Sequence, residues 1–106
     1  MKIRVLDPVE EDLLQAAIRL EEARPGYGDR LLGQYRRAIE LLERYPRLHA
    51  LVDDGITGRE FRDVLLRRLK YRIVYELRES ELLIVAVLHT SRDEKLWHPR
   101  LGDELP

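Results

Sequence analysis

The amino-acid sequence predicts an α+β domain of order β-α-α-β-β-β: an antiparallel sheet, a helical hairpin packed on one face, and a short C-terminal helix. Three observations carry this. Apolar residues recur every three or four positions through the first half, with one break at Arg24-Pro25-Gly26. From residue 61 to 88 the pattern becomes alternation and then a continuous apolar run. And 106 residues, 44% of them hydrophobic, can fill one core but not two, so residues 1–106 read as a single domain.

Lys2–Leu6 alternates, with Ile3 and Val5 on one side, and reads as a short strand. Asp7-Pro8-Val9-Glu10 then supplies a helix start: Asp7 as a cap, Pro8 in the first turn, Glu10 completing a capping box. Leu13, Ala16, Ala17, Leu20 and Ala23 make the apolar stripe of that helix. Pro25 ends it by removing a donor and disfavouring helical backbone at Arg24. A second helix opens near Asp29, carries Leu31, Leu32, Tyr35, Ala38, Ile39, Leu42 and Tyr45, and ends at Pro46. So short a break between two stripes predicts an antiparallel hairpin.

Arg47–Gly58 reads as a loop with turn signals at Asp53-Asp54-Gly55 and Thr57-Gly58, and is expected to be the most mobile segment. Three strands follow as a meander: Phe61–Arg68, Tyr71–Arg78 and Leu82–Leu88. In the second, Tyr71, Ile73, Tyr75 and Leu77 point one way and Arg72, Val74, Glu76 and Arg78 the other. The third is apolar on both faces, as a central strand should be. Asp93–His98 is expected to form the terminal helix, and residues from about 99 to 106 a flexible tail. Only a hairpin laid on one face buries both helical stripes, which leaves the other face at least partly open.

Composition removes several function classes. With no cysteine there is no disulfide, no thiolate catalysis and no Cys-ligated zinc. His89 and His98 are too isolated to suggest a metal site, and no glycine-rich phosphate loop follows a strand. The longest uncharged apolar run, Leu82–Leu88, is far too short to cross a bilayer, and the N-terminus lacks a leader-like apolar stretch. A cytoplasmic protein with no membrane partner is the expectation.

Net charge is −1, yet residues 59–72 carry +4, leaving −5 on the remainder. A basic hairpin on an acidic body could hold a phosphate backbone or an acidic peptide; a solvated edge with its own carboxylate partners is the plainer alternative. A second cluster, His89, Arg92, Trp97 and His98, follows the central strand, where loop residues stand on a rigid base. His89 could serve as an acid or base near neutral pH, or simply brace the turn. Trp97 is expected to pack the last helix on the sheet, its indole N–H finding a partner.

Tyr71-Arg72-Ile73-Val74-Tyr75-Glu76, a short turn, then Ile84-Val85-Ala86-Val87-Leu88-His89-Thr90-Ser91-Arg92 and Trp97 resemble the RelE/ParE toxin superfamily of type II toxin–antitoxin modules. Asp12-Leu13, the helix end at Tyr45-Pro46, and Arg62 at the start of the meander agree with that layout, which spans residues 1 to about 100. The resemblance implies the RelE/ParE-like β-α-α-β-β-β fold, no cofactor, and a cognate antitoxin that wraps the toxin. RelE-like members cleave ribosome-bound messenger RNA without a metal; ParE-like members poison DNA gyrase.

Arg72 matches a RelE-type site arginine, and Arg92 lies one residue from the second. The RelE-type site lysines fall at Asp63 and Leu65, and a C-terminal site tyrosine at Trp97 or His98. Neither Asp63 nor Leu65 can do a lysine's work on a phosphate. The Ala-Val-Leu-His-x-x-Arg run followed by Trp is closer to the ParE branch. The expectation is therefore a gyrase-directed, growth-inhibiting toxin that is not an enzyme, of the kind that stabilises plasmids. If it were instead a ribonuclease, Arg72, Arg92 and His89 would carry the chemistry. A relative that binds only antitoxin is the third reading. Arg62, Arg68, Arg72, Arg92 and Trp97 are the expected contacts to target or to an acidic antitoxin on the open sheet face. That face could otherwise be closed by the C-terminal tail or by a second copy of the chain.

Overall fold

A computed structural model of the chain describes residues 1–52, 58–92 and 96–104. The elements are β1 (Lys2–Val5), α1 (Pro8–Ala23), α2 (Tyr27–Arg44), β2 (Glu60–Leu66), β3 (Tyr71–Leu77), β4 (Glu81–His89) and a 3-10 helix at His98–Glu104. This is the predicted α+β order. The sheet runs β1-β4-β3-β2, and β4 is central as its two apolar faces require. It is mixed rather than wholly antiparallel: β1 pairs parallel with β4. Parallel pairing needs a long crossover, which the helical hairpin and the meander together supply.

Helix α1 starts at Pro8, but Asp7 makes no side-chain cap bond. Instead the Val9 N–H donates to the Leu6 carbonyl at 3.0 Å. Helix α2 begins two residues before Asp29, and its cap comes from the other helix. The Glu21 carboxylate accepts the N–H groups of Gly26 (2.9 Å) and Gly28 (3.1 Å). That satisfies orphan donors and sets a negative charge at the positive end of α2. Gly26 holds φ 90°, which a side chain would strain. At Gly28 an added Cβ would stand 2.8 Å from the Ala17 carbonyl oxygen, so the helices touch backbone to backbone there.

The helix-facing core joins Val9, Ala16, Leu31, Ala38 and Leu42 to Ile73, Tyr75, Leu82 and Ile84 of the sheet. The opposite face is not left open at its centre. Phe61, Val74, Leu83, Val85 and Ala86 form a second cluster closed by Trp97 and Leu101. Phe61 and Trp97 ring centroids lie 4.8 Å apart. The expected tail from residue 99 is therefore corrected at 98–104: Leu101 is wholly buried, and its apolar gain holds the segment down. The expected start of a terminal helix at Asp93, and the turn signals of 53–57, lie outside the described residues. Just before them, Leu51 bridges Arg62, so the outer edge of β2 is partly covered.

Strand β1 ends at Val5, opposite Ile84, while β4 continues to His89. Just beyond, Val85 is an extra residue between the Tyr75–Ile84 and Val74–Ala86 pairs, a bulge. Side chains complete the ladder there. Asp12 of α1 accepts the Val87 N–H at 3.0 Å. Arg100 donates to the Val85 carbonyl at 3.2 Å and to both oxygens of Asp12. One bidentate ion pair thus ties the first helix, the bulge and the C-terminal segment together.

Candidate functional site

The residues singled out from the sequence separate into two places. Along the sheet, the arginines are already partnered. Arg72 is 6% exposed; it donates to the Asp63 carboxylate and to the Arg92 carbonyl, both at 3.3 Å. Arg62 donates to Glu60 at 2.8 Å and to the His49 carbonyl. Arg59 holds Glu76 through two bonds of 2.6 and 2.7 Å, and Arg78 adds a third at 2.8 Å. Burial pushes the Glu76 carboxyl up, but the hydrogen bonds from Arg59 and Arg78 outweigh it and hold the group below the usual carboxylate range. The Arg62 hydrogen bond likewise holds Glu60 down. Along the sheet, the basic hairpin read from the sequence is a set of internally neutralised pairs.

Trp97 is fully buried against Phe61 and His98. Its indole N–H has no acceptor among the described residues, contrary to the expected partner. It is a packing residue in this chain, and a target or antitoxin could touch it only after the C-terminal segment moved.

His89 braces its turn. The Ser91 backbone N–H donates to His89 Nδ1 at 3.1 Å, and the Ser91 hydroxyl lies 2.8 Å from the same atom. An amide can only donate, so Nδ1 is an acceptor and the neutral ring carries its proton on Nε2. In this state His89 offers a donor outward, not a lone pair. Arg72, Asp63 and the Arg92 carbonyl meet on the opposite face of the sheet, without a lysine.

The remaining candidates, Arg68 and Arg92, are exposed and lie elsewhere: in a cleft of about 600 Å³ at the end of the sheet on its helix side. Arg19 of α1, Arg24 just past its end, Arg68 and Lys70 of the β2–β3 turn, and Arg92 after β4 line it. Leu20, Ala23 and Leu69 make its apolar wall. No carboxylate lines it among the described residues, and none of the five cations has a carboxylate partner there. Asp93 and Glu94 follow Arg92 outside the described residues. Arg24 stacks on Tyr27, 4.9 Å from the ring centroid, which fixes its guanidinium at the rim. Sequence reading missed Arg19 and Arg24, because their helical stripe says only that they avoid the core. Their neighbourhood with Arg68 and Arg92 exists only once α1 is laid over β4.

Residues 3–94 match the model of a family described as the ParE toxin of the type II toxin–antitoxin system, parDE. The chain belongs to the ParE toxin family. It is the toxin type of a type II toxin–antitoxin module, within the RelE/ParE superfamily, and the family implies an antitoxin partner. The match takes in both helices and all four strands but stops before Trp97, Arg100 and Leu101. The segment that closes the second cluster in this ParE toxin thus lies beyond the matched residues. No curated protein matches the chain. Among the described residues, no helix is long and apolar enough to cross a membrane, and no group of three His, Asp or Glu side chains could hold a metal ion.

Proposed function

We propose that this ParE-family chain acts by protein contact rather than by cutting RNA, with DNA gyrase as its target and an acidic antitoxin as its neutraliser. The observation that carries the reading is the fate of Arg72. The one arginine that matches a RelE-type site position is buried and bound to Asp63, which stands where a site lysine would be needed. A buried guanidinium already held by a carboxylate has little left to offer a scissile phosphate. His89, with Nδ1 accepting the Ser91 N–H, is a poor general base as well.

The gyrase target rests on the ParE family and on the Ala-Val-Leu-His-x-x-Arg run. The test is expression of the chain without any partner. Filamentous cells with DNA-damage signalling, together with inhibited supercoiling by purified gyrase, are expected. Immediate translation arrest with cleaved messages would overturn the reading in favour of a ribonuclease. Full growth at high soluble expression would favour a chain that only binds antitoxin. Neutralisation is checked by mixing with the product of the neighbouring reading frame and following affinity against salt. A salt-sensitive complex is expected, since the cations in reach are arginines.

A further inference from the structure

The fate of Arg72 says nothing of the cleft at the end of the sheet. Five cations drawn from three separate elements converge on it in a chain whose net charge is −1. Like charges gathered in one concavity repel, and concave low-dielectric walls strengthen their field. Along the sheet this chain neutralises Arg4, Arg59, Arg62, Arg72 and Arg78 with Glu60, Asp63, Glu76 or Glu81. Here, among the described residues, it does not.

Two further features point to a ligand. Lys70 holds φ 60°, a left-handed backbone that a side chain disfavours. Its amide donates to the Leu66 carbonyl at 2.9 Å and its carbonyl accepts from Thr90 at 2.8 Å, so the strained turn is pinned at the cleft rim. And His89, its Nδ1 taken by the Ser91 amide, is on the same wall. Charge and donors meet an apolar wall of Leu20, Ala23 and Leu69.

We propose that this cleft binds a nucleoside polyphosphate. A phosphate chain concentrates three or four negative charges within one short span, which suits clustered guanidinium forks. A peptide's carboxylates are spread along its backbone and would engage only some of the five cations at once. About 600 Å³ exceeds what inorganic phosphate needs and falls within the range of small-ligand sites, leaving the apolar wall for the nucleoside.

The test is calorimetric titration of the full chain with ATP, tripolyphosphate and adenosine, without divalent cations. Saturable binding of ATP is expected, with tripolyphosphate at least threefold weaker and adenosine undetectable. Arg19→Glu with Arg68→Glu should weaken ATP at least tenfold, and Arg44→Glu, exposed on the last turn of α2 outside the cleft, should leave it unchanged. Unfolding curves of each variant show that the fold is kept. No saturable ATP binding at millimolar concentration would overturn the proposal. So would loss of affinity equal in Arg44→Glu and the cleft pair, which is bulk electrostatics. Equal affinity for tripolyphosphate and ATP would overturn the nucleoside part. Tighter binding of an acidic peptide than of ATP would assign the cleft to a protein partner instead.

Discussion

Arg59, Arg62, Arg72 and Arg78 along the sheet of this molecule, and Arg19, Arg24, Arg68, Lys70 and Arg92 at its end, are two cationic groups of similar size with opposite fates. Each member of the first group sits against a carboxylate, and Glu76, which Arg59 and Arg78 share, is itself nearly buried. The second group lines open space and has no carboxylate partner among the described residues. The first group is structural: desolvated charge that must stay paired to be tolerated. The second is available. A local charge of +4 in residues 59–72 therefore overstates what that hairpin presents to a partner, while Arg19 and Arg24 add to the cleft what local counting omits.

The sharpest break of this contrast is at Glu76, 3% exposed under two guanidinium groups. Glu76→Ala strips Arg59 of its anion and leaves Arg78 with Glu81, at 3.4 Å. A loss of roughly 3 kcal/mol is expected in denaturant unfolding, the scale for stripping one partner from a buried pair. A loss under about 1 kcal/mol would mean that the pairs are solvated and the two groups alike. The same carboxylate gives a pH signature. Its folded pKa is depressed, as are those of Glu60 and of Glu81, which Arg4 holds down first. Such groups contribute stability above the unfolded value of 4.5 and lose it as pH falls through the lower folded value. Stability should therefore drop below pH 4.5, and Glu76→Gln should flatten that slope. An unchanged slope would remove Glu76 from the account.

Arg100 tests the C-terminal closure. Arg100→Ala removes the bidentate bond to Asp12 and the bond to the Val85 carbonyl. Charged hydrogen bonds of this kind contribute about 2 kcal/mol, and the Val87 amide, bonded to Asp12, should exchange faster with solvent. Protection at Val87 equal to wild type would show that Asp12 holds the bulge alone. A smaller effect, about 1 kcal/mol, is expected for Tyr75→Phe, which deletes the 2.6 Å bond from the Tyr75 hydroxyl to the Pro46 carbonyl. Burial pushes that hydroxyl up to about 12, so it stays a donor through neutral pH; a wild-type midpoint for the variant would show that bond to be dispensable.

Periodicity was enough for the helices and strands because each buries one face, and the break at Arg24-Pro25-Gly26 is written in backbone chemistry. Family resemblance rested on the β3 and β4 strings, which the fold places side by side. What was hidden depended on tertiary placement. Nothing local marks Glu21 as the cap of α2, since it lies on the preceding helix. Arg100 looked like part of a tail because its partner, Asp12, is at the other end of the chain. Trp97 read correctly as packing but not as fully buried, and Arg72 read as outward-facing without showing that Trp97, Leu101 and Asp63 would cover and occupy that face. The cleft was half legible: Arg68 and Arg92 were named, but for a different surface.

The smallest expected effect separates the two groups most cleanly. Arg68→Gln removes one cation from the cleft without removing anyone's partner. If the cleft is a like-charge cluster held for a ligand, the substitution relieves repulsion and should leave stability within about 0.5 kcal/mol of wild type, shifted if at all toward greater stability at low salt. Raising the salt should erase the difference, since screening does the same work as the substitution. A clear destabilisation would show that Arg68 has a structural partner, and the cleft would then join the β2–β3 face as another internally neutralised region.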